Sequence, residues 1–411
     1  MTARAVRQDR STPRAAMARG DKTRDGRGRV RSMPAILHYG FRPFFFLGAL
    51  HATIALPIWL WMSVSGVVMG GPFQAMAWHA HEMIFGYLGA VIAGFVLTAV
   101  PNWTGRLPLS GLPLLGLVSL WLLGRIACAF VPSPEVAMTL DLAFPIVLAA
   151  SVWREVAAGR NWRNAPVAGM LTLFAVGNLA HHLEGMAILP EGYAIRIALG
   201  TVAMLIALIG GRIVPSFTRN WLVKQGGTSL PAHFGILDKA ALASTVLAVM
   251  GWMFAAGASL SGWLLVTSGT LLAVRVARWQ GWQTWREPIV LVLHLGYAWL
   301  AVSMLLLGLS TVTDFVPASA ALHALTAGAI GTMTLTVMTR ASLGHTGREI
   351  KADLWTRAIY VAVTVGALLR VAAPFAADTY LTLLMAGGIL WAFAFALFAV
   401  RYAPILWRHR K

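Results

Sequence analysis

The chain has 411 residues, of which 58% are hydrophobic and 12% are charged. Soluble domains carry roughly a quarter charged residues, so this composition excludes an ordinary soluble protein and predicts an all-α polytopic membrane protein. The net charge of +18 is concentrated at the start, because ten of the 33 Lys and Arg residues lie within residues 1–32. We expect residues 1–36 to form a disordered basic cytoplasmic tail on anionic lipid, and we expect no nucleic-acid partner.

Twelve long apolar windows, broken by Pro, Gly and charged residues, predict about twelve transmembrane helices within a membrane domain over residues 37–403. Their approximate limits are 42–67, 78–100, 109–131, 135–153, 165–185, 193–214, 236–256, 259–278, 288–310, 318–339, 354–373 and 379–400. Residues 404–411 are predicted to be a basic cytoplasmic C-terminus. The single cysteine, Cys128, lies in the third window, so disulfides are excluded and a small buried core residue is expected.

The short loops predict the orientation of the helices. The basic loops all fall on one side, near Arg106, Arg160, Lys224, Arg286, Lys351 and Arg408. The alternate loops contain no Lys or Arg, near Gly70, Ser133, Pro190, Gly257, Val316 and Ala377. Because basic loops stay in the cytoplasm, both termini are predicted to be cytoplasmic.

A weak internal repeat links the ends of the second, sixth and tenth predicted helices. These helices end near residues 101–104 (PNWT), 215–219 (PSFTR) and 339–348 (TRASLGHTGR). Four helices separate each motif from the next, which suggests three four-helix units. Because Pro, Thr and Arg are common at helix ends, common ancestry and coincidence both remain open.

Residues 78–106 combine a predicted membrane helix with metal-ligand side chains at its start. Five histidines from three predicted helices lie at a similar depth on the side with neutral loops: His79, His81, His181, His182 and His323. At 1.5 Å per residue, all five fall within about 10 Å of the same membrane surface. Ionisable groups inside a bilayer usually mark a functional site, and neutral imidazole ligates haem iron and copper. We therefore predict a metal or haem site.

The spacing of the first motif leaves two interpretations open. On an ideal helix His79 and Glu82 share a face, whereas His79 and His81 point about 200° apart and do not easily ligate one ion. Either two metals lie on opposite sides of this helix, or one histidine is a ligand and the other supports it. His181 and His182 point about 100° apart, so one of them is expected to face the site.

Three arginines lie within helices on the side that otherwise lacks basic residues: Arg125, Arg196 and Arg370. A buried arginine needs an anionic partner, which is either a protein carboxylate or a haem propionate. The protein candidates are Glu82, Glu135, Asp141, Glu184 and Asp378. Snorkelling of these arginines to the membrane interface is the simpler alternative.

Other polar residues lie nearer the cytoplasmic side. His294 and Tyr297 are three residues apart in the ninth helix, about 10–15 Å from the main cluster in depth. They fit a second site, a proton path or a structural hydrogen-bonded pair. Basic residues around the three helix-end motifs fit an anion site or a salt-bridged lipid interface: Arg106, Arg212, Arg219, Arg340 and His345. No covalent haem-attachment motif is visible, so any haem is expected to be a non-covalent haem b.

Several stretches together resemble the NnrS family of bacterial membrane proteins. They are residues 40–45, 79–86, 97–105, 178–183, 211–220, 294–299, 323–328 and 338–348, and they span the chain from about 37 to 400. The resemblance implies a twelve-helix bacterial inner-membrane protein that contains haem and copper and takes part in the nitric oxide response and denitrification. The family pattern is matched at His79, His81, Glu82, His182, His294, His323, Arg212, Arg340 and His345, and it does not require His51 or His181. A looser resemblance, to haem-copper oxidases and nitric oxide reductases, is one of fold only.

These considerations predict a haem/copper protein that binds or reduces nitric oxide. If it reduces nitric oxide, it is a haem-copper-type oxidoreductase with an unidentified electron donor. Its predicted metal ligands are His79, His81, His182, His294 and His323, with Glu82 as the catalytic proton donor. Its predicted cofactor-binding arginines are Arg125, Arg196, Arg212, Arg340 and Arg370, and His181, Tyr297 and His345 are second-line candidates. The alternative is a transporter of a metal or a nitric-oxide-derived species, with the histidines as a transit site. Transporters often have broken helices at mid-membrane, whereas these histidines gather near one surface, which favours the first function.

Overall fold

The computed structural model describes residues 33–409, and these form twelve long helices and no strand. In chain order they are α1 Phe41–Ser65, α2 Ala75–Thr104, α3 Leu112–Phe130, α4 Pro134–Ala158, α5 Ala165–Gly185, α6 Tyr193–Lys224, α7 Ile236–Phe254, α8 Ser259–Ala277, α9 Pro288–Val312, α10 Ala318–His345, α11 Leu354–Phe375 and α12 Ala377–Trp407. Eleven of them are long and apolar enough to cross a membrane, so the predicted all-α polytopic fold is confirmed. The predicted basic tail lies, up to residue 32, outside the described residues.

Helix α5 is the one long helix of the described chain that does not reach the hydropathy of a membrane span. Its second half carries four polar residues, Asn178, His181, His182 and Glu184, and three of these are buried. Polar side chains are costly in a bilayer unless they face the protein interior. The low hydropathy of α5 therefore reflects side chains that contribute to a buried site.

The packing of the helices brings the second and tenth toward the interior. Neighbouring helices contact each other along the chain, and α12 packs against α1, so the first and last helices meet. Among the eleven apolar helices, α2 and α10 have the largest buried shares. Side chains on these helices are thus shielded from lipid, which allows them to carry polar groups.

Helices α2, α6 and α10 share a further feature, a π-helical segment within the membrane span. The segments are Glu82–Leu88, Ile206–Gly210 and Ala324–Ile330. π-Helical segments are rare in proteins, and those that occur often lie at functional sites. In α2 and α10 the segment begins directly after a histidine, His81 or His323. The recurrence every four helices supports the predicted division into three four-helix units.

Two prolines that the sequence places at helix ends lie inside helices instead. Helix α2 continues through Pro101 to Thr104, and α6 continues through Pro215 to Lys224. A proline removes one backbone donor but does not have to end a helix when the surrounding packing maintains it. The true end of α2 is Gly105, whose φ of 71° is the left-handed conformation that glycine adopts without strain.

Candidate metal centre

His81 is the centre of a buried polar cluster near the start of α2. Its side chain is fully buried, and both ring nitrogens face oxygen atoms. Nδ1 lies 3.0 Å from Glu82 Oε1, and Nε2 lies 3.1 Å from Asp141 Oδ2 and 3.0 Å from Asn178 Oδ1. Carboxylate and amide oxygens only accept hydrogen bonds, so in this arrangement the ring donates from both nitrogens.

Asp141 on α4 joins four side chains from three other helices. Its Oδ2 accepts hydrogen bonds from His182 Nε2 at 3.1 Å and from the Asn178 amide at 2.8 Å, in addition to the contact with His81. Its Oδ1 accepts a hydrogen bond from Arg125 on α3. The carboxylate is only 1% exposed, so these partners replace the water that it loses on burial.

A glycine on α3 makes room for Asp141. A Cβ at Gly124 would lie 2.6 Å from Asp141 Oδ1 and 3.0 Å from its Cα. Backbone atoms cannot move aside as a flexible side chain can, so α3 and α4 could not approach this closely with a larger residue. Gly124 therefore sets the position of Asp141 relative to Arg125.

Four of the buried side chains offer atoms that suit one metal ion. They are His81, Cys128, Asp141 and His182, from α2, α3, α4 and α5, and their ligand atoms all lie within 4.8 Å of one another. Ligand atoms around a tetrahedral ion with bonds of about 2.0–2.3 Å lie roughly 3.3–3.8 Å apart. The cluster therefore needs only small side-chain adjustments to hold one ion.

Glu82 supports His81 from the opposite side of the ring. Its Oε1 accepts hydrogen bonds from His81 Nδ1 and from Arg125 Nη1, the latter at 2.7 Å, and its Oε2 lies 2.8 Å from His51 Nε2. A carboxylate on the second nitrogen is the usual way in which proteins orient a ligating histidine. One turn later, a Cβ at Gly86 would lie 2.8 Å from His51 Nε2, 2.9 Å from Arg125 Nη1 and 3.0 Å from Glu82 Oε2, so glycine keeps this pocket open.

The charges of the cluster are not balanced by its fixed ions. Glu82 and Asp141 contribute two negative charges, and Arg125 contributes one positive charge, all with side chains at most 8% exposed. Unbalanced charge in a buried site is costly. A second proton on His81 neutralises the cluster, and so would a bound cation that replaces that proton.

Aromatic rings close the cluster against water. The ring of Phe73 lies 5.0 Å from that of His81 and 5.1 Å from those of His181 and His182. Phe85 lies 5.3 Å from His81 on another side. His181 itself faces away from Asp141, because its Nε2 lies 3.1 Å from the carbonyl oxygen of Ala77. Of the histidine pair, His182 is thus the member that joins the cluster.

A second group of polar residues lies on another face of α2. The ring of His79 stacks on Trp59 of α1, with centroids 4.0 Å apart, and lies within electrostatic range of His323 on α10 and Arg370 on α11. His323 Nδ1 donates to the carbonyl of Ser319 at 2.7 Å, which leaves its Nε2 as the ligand atom. His79 Nδ1 and Arg370 Nη1 are buried and have no hydrogen-bond partner among the described residues.

The predicted pair His294 and Tyr297 lies in a separate polar cluster. His294 Nε2 lies 2.8 Å from the hydroxyl of Thr218, and the Tyr297 hydroxyl accepts from Arg275 at 2.7 Å. Arg275 is 1% exposed and forms an ion pair of 2.8 Å with Asp238. This pair also bonds the π-helical segment of α6, because Arg275 donates to the carbonyl of Ala207 at 3.0 Å.

The other predicted cofactor-binding and second-line residues have contacts elsewhere. Arg196 lies over the ring of Tyr193 at 4.7 Å, and Arg340 lies over that of Phe217 at 3.7 Å. Arg212 is exposed, and the ring of His345 lies 5.6 Å from that of Phe41. Of the five arginines predicted to bind a cofactor, Arg125 contacts the His81 cluster and Arg370 lies near His79.

Sequence reasoning did not identify three members of the His81 cluster as site residues. The sequence predicts Cys128 as a core residue, offers Asp141 only as a partner for an arginine, and includes Asn178 only within the family-like stretch 178–183. Helical spacing offers a signal in retrospect. Arg125 and Cys128 are three residues apart, and Asn178 and His182 are four apart, so each pair shares a helix face.

Comparison with known proteins places the chain in a family. The family model described as NnrS protein matches residues 35–410, which include all twelve helices and both histidine groups. No curated protein matches the chain closely enough for comparison. Because the match covers nearly the whole length, the chain belongs to the NnrS family.

Proposed function

We propose that this protein is a bacterial inner-membrane haem/copper protein that binds or reduces nitric oxide in the nitric oxide response and denitrification. Membership of the NnrS family fits a role in the nitric oxide response. The observation that carries the proposal is the buried group of His81, Cys128, Asp141 and His182 inside a membrane helix bundle. Such a group is costly in a bilayer and is expected only where it has a function.

We assign copper to the His81 cluster on the chemistry of its donor atoms. Imidazole and thiolate ligands suit copper, and a carboxylate completes the set. The net negative charge of the fixed ions favours a cation at this position. When bound, copper would supply one-electron chemistry next to a water-excluded pocket. The residues themselves hold and orient the site: Glu82 fixes the ring of His81, and Arg125 holds both carboxylates.

Glu82 is also placed to move protons into the cluster. Reduction of nitric oxide consumes protons, which must reach a site that aromatic rings close to water. His51 is 16% exposed and contacts Glu82 Oε2, while Glu82 Oε1 contacts His81 Nδ1. A proton held on His51 can therefore pass to the Glu82 carboxylate, which lies directly beside the cluster, without a large movement.

We assign haem b to the group around His79 and His323. Among the described residues, His323 Nε2 and His79 Nδ1 have no protein partner, as a haem ligand requires, and Arg370 has a buried donor for a propionate. The placement of this group on a face of α2 away from His81 supports two cofactors rather than one. When bound, the haem would supply an iron that takes up a diatomic ligand.

We also propose the orientation and domain limits that the loops imply. Both termini are cytoplasmic, residues 1–36 and 404–411 flank a membrane domain over residues 37–403, and the histidine groups lie toward the periplasm. The basic loops all leave the ends of the helices opposite these groups, which supports this orientation.

Metal analysis of variants tests the assignment. Cys128→Ser and His182→Ala should lose copper and retain haem, whereas His323→Ala should lose haem and retain copper. His233→Ala is the control, because His233 is an exposed loop histidine outside both groups and is not a predicted ligand, and it should retain both. Loss of copper in His233→Ala, or full copper in Cys128→Ser, would contradict the assignment. Exchangeable metal without haem, with flux in proteoliposomes, would instead support the transporter.

A further inference from the structure

A pocket of about 770 Å³ lies at the end of the bundle opposite the histidine groups. It is bounded by the C-terminal ends of α10 and α12, the loop between α10 and α11, and the first turn of α11. Five of its lining residues are basic: Arg348, Lys351, Arg357, Arg401 and Arg408. Two are acidic, Glu349 and Asp353, so the lining carries a net positive charge.

One of the two acidic residues is already committed to other partners. Asp353 Oδ1 accepts from the backbone nitrogen of Thr356 at 2.8 Å and from its hydroxyl at 2.7 Å, which caps the start of α11. Its Oδ2 accepts two hydrogen bonds from Arg401, at 2.9 and 2.7 Å. Among the lining residues only Glu349 is left to balance the other basic side chains, while Glu287, outside the lining, also lies within electrostatic range of Lys351 and Arg357.

Arg348 shows that this positive charge is not fully compensated within the described chain. Its Nη1 is buried and has no hydrogen-bond partner there. Burial and the neighbouring guanidinium groups of Arg408 and Arg401 lower the pKa of Arg348 from its ordinary value. The positively charged side chains of Arg348, Arg401 and Arg408 lie close together, and an anion bound between them would stabilise all three. A buried Nη1 without a partner, on a side chain that is otherwise partly exposed to the pocket, indicates a ligand that accepts hydrogen bonds.

We propose that this pocket binds a phosphate-bearing anion through Arg348 and its basic neighbours. Guanidinium groups match phosphate oxygens in charge and geometry. The pocket also has an apolar wall that includes Leu354, Pro404 and Ile405, and it lies where two predicted spans end. A phosphate group at this end of the helix bundle can belong either to the headgroup of an anionic phospholipid or to a free phosphate compound. This site is independent of the metal centres proposed above.

Thermal unfolding of the full-length protein in detergent, followed by tryptophan fluorescence, tests the proposal in two arms. One arm adds inorganic phosphate, and the other adds mixed micelles of phosphatidylglycerol, with phosphatidylcholine as the reference. The unfolding midpoint should rise with one of these ligands, because a ligand that binds only the folded protein stabilises it. A response to phosphate identifies a free anion, and a response to phosphatidylglycerol alone identifies a headgroup.

Two variants with opposite expected effects separate binding from misfolding. Arg348→Gln should weaken the binding of the active ligand about tenfold or more, since a charge-assisted hydrogen bond is lost. Glu349→Gln should strengthen binding, because it removes the remaining carboxylate, and a folding defect cannot produce this gain. Arg163→Gln, at an exposed arginine in another basic loop, should leave binding unchanged. An absent midpoint shift in both arms, or equal shifts in Arg348→Gln and Arg163→Gln, would overturn the proposal.

Discussion

Replacing Arg125 with glutamine tests how the buried cluster is held together. Arg125 donates to Glu82 at 2.7 Å and also to Asp141, and both carboxylates are 1% exposed. Removing one partner of a buried ion pair costs about 3–5 kcal/mol, because the remaining charge stays buried without compensation. Here one substitution leaves two carboxylates without their cation. We therefore expect Arg125→Gln to lower the free energy of unfolding by at least about 3 kcal/mol.

The reference for this effect is an ion pair of the same type at the surface. Arg154 is 67% exposed and lies 3.0 Å from Glu155. Exposed pairs contribute about 0–1 kcal/mol, so Arg154→Gln should have little effect. Unfolding by sodium dodecyl sulfate in mixed micelles, followed by far-UV circular dichroism, measures both variants under the same conditions. Equal losses of stability in the two variants would refute the reasoning about burial.

A double variant shows whether charge is the cause. Glu82→Gln combined with Arg125→Gln removes one negative and one positive charge, so the net charge of the fixed ions returns to that of the original cluster. We expect the double variant to be more stable than Arg125→Gln alone, since fewer charges remain uncompensated. If the losses in free energy of unfolding of the two single variants simply add in the double variant, packing of the arginine side chain rather than charge determines the stability.

Two further predictions concern helix packing and acid stability. Gly124→Ala should destabilise the protein by about 1–3 kcal/mol, because the added Cβ meets the backbone of Asp141, whereas Gly116→Ala on the same helix meets nothing within 4 Å and should be tolerated. The same unfolding assay measures both, and equal effects would contradict the close approach of α3 and α4. Partial burial tends to raise the pKa of Asp353, but hydrogen bonds from Thr356 outweigh it and hold that pKa below its ordinary value. The stability that Asp353 contributes is therefore present at neutral pH and is lost as the pH falls below about 4, so Asp353→Asn should flatten this acid-dependent loss.

The sequence predicts the helices well because a bilayer imposes a simple rule on them. An apolar run of about twenty residues must form a helix to satisfy its backbone, so the windows found from composition correspond to the twelve long helices. The rule fails at polar ends, where α6 continues through Pro215 to Lys224 although the apolar run stops. It also does not locate the π-helical segments, which depend on the packing of neighbouring helices.

The candidate site could be predicted only in part, because it is assembled by contacts between helices that are far apart in the sequence. The ideal helix angle between His79 and His81 already indicates that they face different partners, and the structure places them in different groups. Asp141 and Cys128 become neighbours of His81 only through the packing of α3 and α4 against α2. No spacing along the chain records this packing, since each of these residues lies on a different helix. Single buried polar residues in apolar helices are thus informative only as a set.

The most direct test of the proposed function is the optical spectrum of the detergent-purified protein, oxidised and dithionite-reduced, before and after addition of nitric oxide. Iron and copper are measured on the same sample. We predict a b-type haem spectrum that shifts with nitric oxide, together with near-stoichiometric copper that is lost in Cys128→Ser. A protein that contains no copper, and that stays colourless after haem supplementation, would contradict the haem/copper function.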